Sequence, residues 1–369
     1  MKKILAFTIA SCFLFAGFGQ TTKEKEALSL GKEAIGLMDK GSFDESIKLL
    51  KKAIKLDGEN VSYPYELAYA YYLKEDYQKA IKVAESLIDR KDAPVAVFQL
   101  LGNTHDVIGD PDKALETYKE GMKRFPESGN FYLESGVVES KRENFNEAIT
   151  YWEAGIKVDP NYSSNYYQLA KIFTFSEERI WSMLYAEMFM NLEAGSKRTE
   201  EISALLLKNY QESYVAESDS SGEFSLTKKG FVIEINHKRD IKKKSKKGTL
   251  LPFEGTFAGA YALAAIGFHH DINVEAIVEA RTNFVEIWFK KNGHAKAYPN
   301  ALLAFQKKLM DAGHFETYSR WLISAGDLDA FKDWLDTPAN MEKFKAFAEY
   351  LQEENMQMKD SDMYSRRDY

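Results

Sequence analysis

Two adjacent histidines, His269 and His270, are followed by Asp271 and then by Glu275 and Glu279. Imidazoles and carboxylates at helical spacing are the residue types of metal ligation and of general acid–base work. Neighbouring residues on a helix point roughly 100° apart, so the two imidazoles do not converge on one ion. Polar residues closing an apolar helix account for the cluster more simply. Other reagents of catalysis are missing. The one cysteine, Cys12, lies in an apolar leader, which leaves the rest of the chain without a thiolate nucleophile or a thiolate zinc ligand. There is no Gly-x-Ser-x-Gly, no Gly-x-x-x-x-Gly-Lys-Ser/Thr loop and no Gly-x-Gly-x-x-Gly. His294 and His314 each follow a glycine and read as cations at helix ends. These residues predict no metal site, no cofactor and no catalytic constellation.

The elements that would position any working side chain come from a repeat. Ser46, Ala80, Ala114, Ala148 and Ser182 are small and stand 34 residues apart. Ala34, Ala68, Gly102, Gly136 and Ala170 form a second small column at the same period, and Phe43, Tyr77, Pro111 and Phe145 a third. Small residues at a fixed period mark helix crossings, and the apolar residues between them fall at helical spacing. Ser42 with Glu45, and Asn144 with Glu147, read as capping boxes. Asp110-Pro111 sets a cap before a proline at the first helical position, where the missing N–H costs nothing. Pro126 and Pro160 stop second helices.

Repeat three carries Phe98, Leu101-Gly102, Gly109-Asp110-Pro111, Ala114, Tyr118, Gly121 and Pro126; repeat four carries Tyr132, Gly136, Phe145, Ala148, Trp152, Gly155 and Pro160. The pattern resembles the tetratricopeptide repeat family over roughly residues 24–195. That resemblance implies an all-α chain built as a helix-turn-helix superhelix. The array is expected at 24–217, as five helix pairs closed by a helix near Thr199 to Ala216. In the fifth pair, Ile180 to Glu193 is apolar nearly all round, so this helix must be covered on several sides.

The flanking segments read differently. Lys2-Lys3, an apolar run from Ile4 to Phe18 and Gly17-x-Gly19 predict a secretory signal peptide over 1–19, hence a periplasmic or secreted protein. A lipid on Cys12 is the minor alternative. Residues 218–250 read as a linker holding a short β-hairpin, with strands at Phe224 to Thr227 and Phe231 to Ile235, and a lysine-rich loop at 238–247. Residues 251–352 read as a second, helical domain with its own aromatic core. Asn273, Asn300, Asp327 and Asn340 are expected as caps there, and Gly255, Gly259 and Gly267 as points of close helix contact. The tail, 353–369, is polar and is expected to be disordered. The order of leader, repeats and lysine-rich helical region resembles exported repeat proteins of the Bacteroidetes group.

The repeat resemblance further implies a scaffold that holds a protein or peptide on the concave face lined by the first helix of each pair. The matching positions are Tyr65, Tyr69, Tyr72, Gln99, Asn103, Asp106, Leu133, Val137, Lys141, Tyr167 and Lys171. The formal net charge of −7 argues against nucleic acid as a partner. The basic run at 238–247 suits peripheral contact with an anionic envelope surface. The competing reading is an envelope enzyme or assembly factor acting from the C-terminal helices, with His269, His270, Glu275 and Glu279 gathered in a cleft.

Overall fold

The computed structural model describes residues 21–176, 178–218, 221–224, 226, 231–234, 242–245, 252–265, 272–290, 293–359 and 362–369. The leader, the His269-His270-Asp271 cluster, Gly267 and most of the basic run lie outside the described residues. Two compact units divide the chain, Met1–Thr117 and Tyr118–Tyr369.

Unit 1 is a run of antiparallel helices: α1 (Thr22–Asp39), α2 (Phe43–Leu56), α3 (Ser62–Leu73), α4 (Tyr77–Ile88), α5 (Val95–Val107) and the start of α6 (Pro111–Arg124). From α1 to α5 each helix packs on the next, and the first helices α1, α3 and α5 also pack side by side. The 34-residue columns explain why. Ala34, Ser46, Ala68, Ala80 and Ala114 have no exposed surface, and each is small enough to let two backbones approach.

The turns inside the pairs repeat as well. Gly41, Glu75, Gly109 and Glu143 stand one period apart and all adopt positive φ, at 77°, 66°, 84° and 63°. At each, the following amide reaches back to the last helical turn, as in Ser42 to Leu37 at 2.9 Å and Asp76 to Tyr71 at 2.9 Å. This left-handed closure satisfies carbonyls that the helix leaves free. It also corrects the expected capping boxes. Ser42 and Asn144 follow the turn with ψ near 62° and 63°, and neither side chain caps its helix. The Asn144 amide donates to Glu139 instead. Complete boxes are at Thr21–Glu24, Ser196–Thr199 and Ser365–Asp368, where the cap residue is extended.

Unit 2 continues the array with α7 (Gly129–Lys141), α8 (Phe145–Val158), α9 (Ser163–Thr174), α10 (Arg179–Leu192) and α11 (Lys197–Glu212). A Cβ on Gly136 would stand 2.2 Å from Trp152 Nε1, and that indole donates to the Leu133 carbonyl at 3.1 Å. After α11 the backbone forms a four-stranded antiparallel meander: β1 (Tyr214–Ser218), β2 (Ser221–Phe224), β3 (Phe231–Glu234) and β4 (Lys242–Ser245). Phe224 stands opposite Phe231 as in the expected hairpin, but the hairpin's first strand runs Ser221–Phe224, upstream of the expected Phe224 to Thr227. The closing helix stops at Glu212, short of the expected Ala216, and the residues after it form β1, while the basic run supplies β4.

The C-terminal helices are α12 (Pro252–Ala264), α13 (Val274–Lys290), α14 (His294–Ala297), α15 (Ala301–Asp311), α16 (Phe315–Leu322), α17 (Leu328–Leu335) and α18 (Pro338–Glu353). Asn273, Asn300 and Asp327 cap as expected, each accepting an amide. Asn340 does not: α18 begins a turn earlier, with Thr337 as its cap before Pro338. Gly259 is no contact point, since a Cβ there meets nothing within 4 Å.

Two expectations about this half fail. The C-terminal helices have no separate core, because one continuous cluster runs from Leu133 through α10 to Phe347 and Tyr364. Helix α10 is its centre: Trp181, Tyr185, Ala186, Met188 and Phe189 are wholly buried. Nor is the tail disordered where it is described. Met356, Met358 and Tyr364 are buried, Tyr364 Oη donates to the Ile156 carbonyl at 2.8 Å, and the Tyr369 ring stacks on Phe253 at 4.0 Å. Arg366 Nε and Arg367 Nε reach the two oxygens of the fully buried Glu153 at 2.9 and 2.7 Å. A polar composition hid this docking, which runs through ring stacking and charge pairing instead of an apolar stripe.

Candidate partner-binding face

On α3, Tyr65, Tyr69 and Tyr72 fall at helical spacing and form a ladder. Adjacent ring centroids are 6.4 Å apart, tilted by 1° and 11°, and Tyr77 closes the ladder edge-on at 5.8 Å. Tyr65 is buried, while Tyr69 and Tyr72 are half-buried. Those two also pack against the apolar clusters on either side of α3, so part of each ring is inter-repeat core. Burial first, then the neighbouring Glu66 carboxyl, pushes the hydroxyls of Tyr65 and Tyr69 up, which keeps them neutral and able to donate.

Glu66 itself was not singled out in the sequence. Glu66 is half-buried; burial, and then the Asp39 carboxylate, push its carboxyl up to about 7. Asp39 ends α1 and is exposed. A lone glutamate in the run Tyr65-Glu66-Leu67-Ala68-Tyr69 was the available signal.

On α5, Gln99, Asn103 and Asp106 share one face; Gln99 is buried and the other two are half-buried. All three already have partners within the chain.

In unit 2, Lys141 is exposed at the end of α7. Tyr167 and Lys171 are brought together, but by the closing helix. Tyr167 Oη donates to Glu201 Oε2 at 2.6 Å, Lys171 Nζ pairs with Glu201 at 2.8 Å, and Arg198 lies 5.1 Å from the Tyr167 ring centre. Helix α11 therefore already engages these two residues. Among the expected positions, the α3 ladder is the group that combines proximity with part-exposed aromatic surface.

Of the four residues of the catalytic alternative, His269 and His270 lie outside the described residues. Glu275 and Glu279 are exposed on α13, and Glu275 accepts from Arg320 at 3.0 Å. Among the described residues no group of three His, Cys, Asp or Glu is placed to hold a metal ion. A second buried charge network, besides that of Glu153, ties elements together. Arg281 donates to Glu187 at 2.7 and 3.0 Å and to Ser319 at 3.0 Å, and Gln306 donates to Glu187 at 2.7 Å. It lines a cavity of about 20 Å³, bounded also by Tyr210, Tyr261 and Phe284, a space on the order of one water. The sequence signal was Glu187, a carboxylate inside an otherwise apolar helix.

Residues 37–74 match the family model described as TPR repeat. Tetratricopeptide repeat protein 21B of Mus musculus is 26% identical over 138 residues, which span 37% of this chain and 10% of that protein. The match thus covers about a tenth of the mouse protein's length. Among solved structures, MamA covers 46% of this chain and 92% of its own, at 18% identity and a TM-score of 0.37. A thermophilic TPR protein of Thermus thermophilus covers 49% and 99%, at 14% identity and 0.41. PilF of Pseudomonas aeruginosa covers 52% and 86%, at 15% identity and 0.43. The family match places a tetratricopeptide repeat at residues 37–74, within a longer run of helix pairs whose small columns are buried.

Proposed function

We propose that the chain is an exported, non-catalytic scaffold that holds a protein or peptide partner on the first-helix face of its repeats. The α3 ladder carries the reading. Tyrosines give large contact area with few rotatable bonds, so ordering them against a partner costs little entropy. The amides and acid of α5 would set register beside them. Export rests on Lys2-Lys3, the apolar run and Gly17-x-Gly19; N-terminal sequencing of the mature form should begin near Gln20, and a lipid-modified Cys12 would mean a lipoprotein. The lysines of 238–247 suit contact with an anionic surface.

The test is capture of the partner from envelope extract, followed by affinity measurement on variants. Tyr69→Ala with Asn103→Ala should weaken binding about thirtyfold with helix content unchanged. Deleting 251–352 is an unsuitable control, because those helices share a core with α10.

A further inference from the structure

We infer, on the partner-binding reading above, that the α3 ladder seats a cationic side chain, a lysine or arginine of the bound segment. The ladder offers aromatic surface at Tyr69 and Tyr72, and two acids lie beside it. Glu66 is the neighbour of Tyr65 on α3, and its charge couples to both Tyr69 and Asp39. Glu66 accepts from no hydrogen-bond donor and pairs with no cation among the described residues. No cation among the described residues acts on the Glu66 carboxyl, and lysines of α2, the α3 cap and α4 are engaged elsewhere: Lys74 pairs with Asp44 and Lys79 with Asp76, while Lys51 and Lys79 face the Tyr71 ring.

A carboxylate withdrawn from water without a counter-charge is unfavourable, and the raised Glu66 carboxyl expresses that cost. An ammonium or guanidinium brought in by a partner would supply the missing charge and rest against tyrosine faces, a pairing that strengthens as water leaves. A carboxylate in the same place would meet Glu66 and Asp39 and be repelled. Charge complementarity therefore favours a basic segment over an acidic or wholly apolar one.

The test uses the mature full-length chain and three synthetic peptides on one glycine-serine frame, carrying lysines, acetyl-lysines or glutamates. Binding is read by calorimetry. The lysine peptide should bind best, and acetylation should weaken it at least about tenfold. Glu66→Gln should weaken the lysine peptide about tenfold. Glu85→Gln, which removes the same charge from an exposed site on α4, should leave it nearly unchanged. Equal losses in the two variants would mean diffuse attraction and overturn the proposal. So would equal binding of the lysine and acetyl-lysine peptides, or no binding of the lysine peptide. If Tyr69→Ala abolishes binding while Glu66→Gln does nothing, the cation seat is wrong and the binding face stands. If neither variant changes binding, both fall.

Discussion

A glutamate at positive φ is the residue-scale cost of this array. Glu143 takes the left-handed conformation that Gly41 and Gly109 adopt one repeat or more away, and for a residue with a Cβ this costs on the order of 1 kcal/mol. Glu143→Gly should therefore stabilise the protein by up to about 1 kcal/mol in denaturant unfolding, and Gly109→Ala should destabilise it by a similar amount. A result of opposite sign in either variant would contradict the turn geometry. The glycines were visible in the sequence; the requirement they serve was not, because two of four positions meet it with glutamate. Glu66 gives a second residue-scale expectation. Its folded carboxyl lies at about 7 against an ordinary 4.5, so the folded state holds a proton that the unfolded chain has released. This stabilisation is complete below about 4.5 and is lost as pH rises through 7. The loss should be about 3 kcal/mol and should be absent in Glu66→Gln, whose stability should be flatter with pH.

At the scale of elements, glycine spacing misled and repeat spacing did not. Gly136 repeats a small column and is forced by contact, since a Cβ would strike the Trp152 indole. Gly136→Ala should cost about 1–3 kcal/mol. Gly259 lies mid-helix in α12 with open space around it, so Gly259→Ala should raise stability by about 0.5–1 kcal/mol. Thermal melts of the two variants should move in opposite directions, and a lowered Tm for Gly259→Ala would refute the open-space reading. Helices were legible wherever apolar residues kept helical spacing, as in α13, α15 and α16. The need for multiple cover on α10 was legible too. Which elements supply that cover was not: α12 and the tail approach it from far along the chain, at Trp181–Phe253 and Arg366–Tyr185.

At the scale of the molecule, the break in composition near 218 suggested a boundary that the contacts do not respect. Unit 2 gathers the later repeats, the C-terminal helices and the tail around one core. Removing 364–369 would strip both arginines from buried Glu153 and leave its charge uncompensated. Unit 2 should lose about 3–5 kcal/mol, read as a lowered midpoint in denaturant; an unchanged midpoint would show that the docked tail contributes nothing. The tyrosines and amides were readable as a face only through the family pattern, whereas their proximity and the unpaired Glu66 required coordinates. The claim that matters most is that the first-helix face of unit 1 holds the partner. Its most direct measurement is the affinity of purified mature protein for the captured partner, comparing Tyr69→Ala with Asn103→Ala against Tyr167→Ala with Lys171→Ala. A loss of about thirtyfold in the first pair, with little change in the second, is the predicted result. Full affinity in the first pair, with its helix content intact and the loss falling on the second, would contradict it.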